Sequence, residues 1–159
     1  MNIPYRLLLL QAFILFLVSC GKTAPSPIPD NPDDLIRSYY EAAGRLDYEY
    51  METCVRRPGK DTLIREVSNV ATLTRIRRGT ENREVFLPAR QWIESGQESI
   101  PAYMVLYGIT DIRIEPLGGG SYTVSYRKWS GENGDIQVQD ISEKVEITAK
   151  RTGEYLRRF

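Results

Sequence analysis

Hydrophobic positions fall into three regimes along the chain, each with its own period. From Leu35 to Thr53 the apolar positions Leu35, Tyr39, Ala42, Leu46 and Tyr50 recur at helical spacing, with Ile36 and Ala43 beside them. Asn31 is the expected N-cap, Pro32 suits the first helical position, and Asp33 and Asp34 favour the positive end of the helix dipole. The Asp30–Asp34 cluster lacks the glycine and ligand spacing of a calcium loop, so capping is its expected role. Gly44 weakens the helix interior, and a break is predicted across Gly44–Asp47 with a restart at Tyr48 and an end at Pro58-Gly59. A second helix is predicted from Asp61, as cap, to Arg78, with Leu63, Val67, Val70 and Thr74 on one face and Gly79 closing it. Arg75, Arg77 and Arg78 crowd its far end, where cations complement the helix dipole.

Beyond Glu81 the pattern is mixed. Val85-Phe86-Leu87 reads as a short strand, Pro88 to Ser95 as a short helix carrying Trp92 and Ile93, and Ala102 to Tyr107 as the start of a sheet. From Ile109 the period becomes two: Ile112 and Ile114, then Tyr122, Val124 and Tyr126, alternate with polar residues. Gly118-Gly119-Gly120 and Ser130–Asp135 supply the turns, and Thr152-Gly153 turns the chain into a last strand, Glu154 to Phe159. In the third long strand Ile136 and Val138 lie one residue out of phase with Val145, Ile147 and Ala149, which predicts a β-bulge near Asp140–Glu143. The three-glycine loop precedes a strand and lacks the lysine of a phosphate-binding loop, so it reads as a hairpin connection.

The third regime is at the start, where Arg6 precedes the apolar run Leu7 to Val18, the length of a signal-peptide core and short for a bilayer span. Leu17-Val18-Ser19-Cys20 resembles a bacterial lipobox, the recognition sequence of lipoprotein precursors. That resemblance implies removal of residues 1–19, acylation of Cys20, with palmitate among the attached chains, and a lipid-anchored place in a bacterial cell envelope. Gly21 after the cysteine favours the outer membrane if the organism is Gram-negative. Residues 20–32 then form a proline-rich tether able to span ~35 Å, and residues 33–159 form one α+β domain.

Composition narrows the chemistry. Of 21 basic residues only Arg6 precedes Cys20, and no acidic residue does, so 20 basic remain against 21 acidic. No net field favours nucleic acid, and none is expected as a partner. The chain has no histidine and, after Cys20, only Cys54 as a thiol. Serine–histidine and cysteine–histidine nucleophile systems and histidine-bearing zinc sites are therefore absent, and no cofactor or metal is expected. Cys54 reads as a small buried hydrophobe, because no second thiol can resolve it.

Helices followed by an antiparallel meander suggest N-terminal helices packed on a curved antiparallel sheet of three to four main strands. Tyr39-Tyr40-Glu41-Ala42-Ala43-Gly44-Arg45-Leu46-Asp47-Tyr48 resembles the opening helix of the NTF2-like (cystatin-like, cone-shaped) superfamily. Val145 to Leu156, with Tyr155 at an aromatic position, resembles its closing hairpin. The resemblance implies a cone whose cavity serves binding or catalysis, and Tyr39, Tyr107, Tyr126 and Trp129 are the candidate pocket-lining residues; packing in the core is the competing role for such rings. The favoured expectation is a non-catalytic module that binds an envelope protein or a small apolar ligand. The alternatives are a structural partner in an envelope complex and an enzyme of the isomerase or dehydratase type. In the latter a carboxylate takes a proton and a tyrosine stabilises an oxyanion, with Asp47 and either Tyr39 or Tyr107 as the pair. The competing role for Asp47 is to satisfy backbone amides at the helix break.

Overall fold

The computed structural model describes residues 29–150 and 153–159. The lipobox residues Leu17, Val18 and Ser19, the candidate acylation site Cys20, and most of the tether lie outside them. The described chain is α+β: four α-helices and a curled five-stranded mixed sheet in the order β1-β2-β3-β4-β5. The helices are α1 (Pro32–Gly44), α2 (Tyr48–Cys54), α3 (Thr62–Glu81) and α4 (Ala89–Ser95), with a 3₁₀ turn at Pro58–Lys60. The strands are β1 (Phe86–Pro88), β2 (Val105–Gly118), β3 (Ser121–Glu132), β4 (Asp135–Lys150) and β5 (Gly153–Arg158). The sheet thus departs from the expected three or four antiparallel strands. Four are antiparallel, and Phe86–Pro88 adds a fifth that runs parallel to β2.

Local chemistry sets the helix ends. Asn31 Oδ1 accepts from the Asp33 amide at 3.0 Å and opens α1. The chain breaks at Arg45-Leu46, where Leu46 takes a left-handed φ of 60°, and Asp47 restarts it by accepting from the Tyr50 amide at 3.1 Å. Gly44 lets this break press against β2: a Cβ there would lie 3.3 Å from the Ile109 amide nitrogen. Asp61 caps α3 through the amides of Leu63 and Ile64. The helix passes through Gly79, where it was expected to close, and ends at Asn82, which takes a left-handed conformation. A glycine inside a helix costs about 1 kcal/mol relative to alanine, and the added backbone bonds out to Glu81 outweigh it. Only the first half of α3 is buried, through Leu63, Ile64 and Val67; Ile76 is 61% exposed.

The sheet is covered on both faces, which explains its apolar pattern. On the inner face α1 to α3 pack over Tyr107, Ile109, Val124, Tyr126, Val145 and Leu156, the main core. On the outer face α4 and the segment after it cover Leu106, Trp129 and Ile136 at one end of the sheet. Trp92 and Trp129 meet there with ring centroids 5.6 Å apart. Gly108 makes this cover possible, since a Cβ at that position would come 2.5 Å from the Ala89 Cβ. The phase change along β4 follows directly. Ile136 serves the outer core and Val145 the inner one, and the β3–β4 register runs unbroken from Ser121↔Glu146 to Glu132↔Asp135. The bulge expected near Asp140–Glu143 is absent. A register shift lies instead in β2 between Thr110 and Arg113, with Asp111 at φ 56°. It moves the inner-face phase from Tyr107 and Ile109 to Ile112 and Ile114. The β3–β4 turn is Asn133-Gly134 with both φ positive, the geometry whose twist suits a two-residue hairpin.

Candidate functional site

Polar chemistry gathers where α1, the start of α3 and the β4–β5 hairpin converge. Glu143 shares the inner face of β4 with Ile141 and Val145, so its carboxylate points among apolar neighbours. Arg158 stands opposite Val145 on β5 and reaches the same space. Its Nη2 and Nε donate to Glu143 Oε2 at 2.7 and 3.0 Å, and its Nη1 donates to Asp61 Oδ1 at 2.8 Å. The Tyr40 hydroxyl donates to Glu143 Oε1 at 2.7 Å, and the Tyr39 hydroxyl lies 3.4 Å from Arg158 Nη1. The three charged side chains are 6–13% exposed. One guanidinium therefore ties three elements together through two carboxylates. Burial lowers the Arg158 pKa, but the facing tyrosines and carboxylates more than reverse this, and the group stays cationic.

A second, shallower cluster lies further along the same face. Tyr107 donates to Glu66 Oε1 at 3.2 Å, and Lys128 Nζ is 3.1 Å from the same oxygen. Between the clusters the rings of Tyr39, Tyr40 and Tyr126 are stacked edge to tilted face, with centroids 5.2 and 4.9 Å apart. Burial is the main cause that raises the pKa values of Tyr39, Tyr40, Tyr107 and Tyr126. Glu143 raises those of Tyr40 and Tyr126 further, as Glu66 does that of Tyr107. These hydroxyls remain neutral donors near neutral pH.

Outside the Asp61–Arg158–Glu143 lock lies a cavity of about 560 Å³. It opens between the end of α2, the 3₁₀ turn and β5, with Val55, Leu156 and Phe159 as its apolar wall. A parallel bridge between Val55 and Leu156 holds that wall in place. Arg56, Arg57, Lys60 and Arg157 also line it. A shallower depression of about 490 Å³ lies over β2–β4, among Arg113, Arg127, Asp140 and Tyr126.

The residues singled out from sequence separate in space. Tyr39 and Tyr107 are 0% and 1% exposed in the main core, with their hydroxyls turned to Arg158 and Glu66. They line neither cavity. Tyr126, 4% exposed, reaches the edge of the shallow depression. Trp129 lies on the outer face, where its indole N–H donates to Thr110 Oγ1 at 2.9 Å. A helix packed flat on a sheet fills the space between with rings, which is why these aromatics are packing. Asp47 is exposed and occupied in capping α2, away from the partners of Tyr39 and Tyr107, so it does not form the pair suggested for proton abstraction. Cys54 is buried in the main core, and burial pushes its thiol up to about 11. Arg77 and Arg78 at the end of α3 pair with Glu132 and Glu84.

Sequence reasoning missed Glu143 and Arg158. The signal was present: Glu143 alternates in phase with Ile141 and Val145, and Arg158 with Leu156. Among the described residues no group of three or more histidine, cysteine, aspartate or glutamate side chains is placed to hold a metal ion, and no helix is long and apolar enough to cross a membrane. No family model, curated protein or solved structure matches the chain, so the functional reading rests on its own residues and geometry.

Proposed function

We propose that the chain is a lipid-anchored protein of a bacterial envelope and that its domain is a non-catalytic binding module of NTF2-like shape, with its ligand site at the cavity beside Arg158. The observation that carries the binding half is the pairing of that cavity with a saturated polar core. Glu143 and Asp61 are held by Arg158, by Tyr40 and by backbone amides, so the groups that could move protons serve to hold the wall of the cavity. A volume near 560 Å³ falls within the range of small-molecule sites, about 300–1,000 Å³. Three helices on the inner face of a curled sheet, with the β4–β5 hairpin at its edge, support the cone-like reading. The anchor half rests on the lipobox resemblance of Leu17-Val18-Ser19-Cys20 and on the proline-rich spacing to Pro32.

The two halves have separate tests. In bacteria fed labelled palmitate, Cys20→Ser is expected to abolish incorporation and to leave residues 1–19 attached; a variant that still takes up label overturns the anchor. For the cavity, methyl NMR of Val55 and Leu156 against a mixed set of small molecules is expected to give the largest shifts at these two residues. Shifts gathered elsewhere overturn the placement of the site.

A further inference from the structure

We propose that the cavity beside Arg158 takes a compact polyvalent oxyanion, bearing phosphate or several carboxylates, held by Arg56, Arg57, Lys60 and Arg157. This deepens the binding reading above and rests on it. The whole chain is balanced at 21 basic and 21 acidic residues, yet five basic side chains line this cavity against only Asp61 and Glu143. Those two carboxylates are already satisfied by Arg158. With Arg158 the two carboxylates leave one negative charge against the other four cations, a net of +3 around one concavity; Arg56, Arg57 and Lys60 make no ion pair among the described residues, and Arg157 stands opposite Glu146 on β4. Arg157 stacks over the Phe159 ring at 4.6 Å, which sets its guanidinium beside the Phe159 wall of the cavity.

Like charges brought together in this way repel one another, and a ligand that carries several negative charges relieves that cost. Guanidinium groups also present paired donors that match phosphate and carboxylate oxygens two at a time. A neutral apolar molecule would gain only the small wall formed by Val55, Leu156 and Phe159 and would leave the repulsion among the cations unrelieved. The same oxyanion chemistry can come from a free solute or from the headgroup of a lipid in the membrane that carries the anchor.

The test uses the lipidated protein in nanodiscs of phosphatidylcholine at low ionic strength. Inorganic pyrophosphate and citrate are expected to shift the methyl signals of Val55 and Leu156, and the uncharged sugar glucose is not. Combined replacement of Arg56, Arg57 and Lys60 by alanine is expected to weaken pyrophosphate binding by roughly tenfold or more, about 1.4 kcal/mol, with an unchanged melting temperature. If the same signals move without added anion when cardiolipin, with two phosphates in its headgroup, replaces part of the phosphatidylcholine, the source is a headgroup; if they move only with the solute, it is a free anion. Either result supports the proposal. Pyrophosphate and citrate without effect, or an alanine variant of undiminished affinity, overturns it. Glucose active where the anions are not leaves the binding module standing with a different ligand class. Silence from the whole panel removes both.

Discussion

Replacing Arg158 with methionine is expected to lower the unfolding free energy by about 3–5 kcal/mol, the usual cost of removing one partner from a buried ion pair. The guanidinium is 12% exposed and holds Glu143 and Asp61, themselves 13% and 6% exposed. Methionine keeps the apolar stem of the side chain but not the guanidinium, so the loss combines the two charges left behind with the space the guanidinium vacates. They are not left equally. Asp61 retains the amides of Leu63 and Ile64, whereas Glu143 retains only tyrosine hydroxyls, those of Tyr40 and Tyr126. Glu143→Gln added to Arg158→Met should therefore recover stability, giving a coupling between the two positions at the upper end of ~0.5–3 kcal/mol. The exposed pair Arg127–Asp140 provides the contrast, since Arg127→Met should cost less than about 1 kcal/mol. Urea denaturation of Arg158→Met, Glu143→Gln, their double variant and Arg127→Met decides the matter. Equal costs at Arg158 and Arg127 would mean that the lock contributes nothing beyond a surface pair.

The elements that sequence reasoning located well are those whose signal is local. Asn31 before Pro32, Asp47 after the break at Gly44, and Asp61 before Leu63 each cap a helix through amides two or three residues away. The short helix ending at Ser95 was legible for the same reason, and the turn read across Ser130–Asp135 narrows to Asn133-Gly134, since one or two residues decide the conformation. The misread features depend on partners distant in sequence. The phase change in β4 looks like a bulge when a sheet is assumed to bury one face. It becomes regular once α4 and Ile100 cover the outer face over Leu106 and Ile136. The true shift, between Ile109 and Ile112, shows the same one-residue slip, and periodicity alone does not separate the two causes. The lock was hidden by distance too: Tyr40 meets Glu143 across 103 residues and Asp61 meets Arg158 across 97. The aromatic residues were recognised as interior, but whether an inner ring faces a void or another ring depends on how closely α1 sits on the sheet. Here it sits close enough for Tyr40 and Tyr126 to touch.

That same ring cluster sets the expected response to alkali. In the unfolded chain a tyrosine ionises near pH 10. In the folded domain Tyr39, Tyr40, Tyr107 and Tyr126 are all raised above that value, chiefly by burial, so they keep their protons where the unfolded chain loses them. Above pH 10 the native state then binds more protons than the unfolded state, and stability must fall as pH rises. Each such tyrosine contributes up to about 1.4 kcal/mol per pH unit, and four together up to ~5.5. Cys54, pushed up to about 11 from its ordinary value of 9.0, adds to the slope between those limits. Since single domains have about 5–15 kcal/mol of stability, cooperative unfolding is expected within roughly one to three units above pH 10. Phenolate absorbance should rise in two steps, the second being that of the buried four, which should appear together with the loss of helical circular dichroism. Tyr107→Phe keeps the ring, leaves Glu66 with Lys128, and should make the second step shallower by one proton. A smooth titration to completion with the folded spectrum intact would mean that water reaches these hydroxyls, and the packing described for the main core would then be wrong.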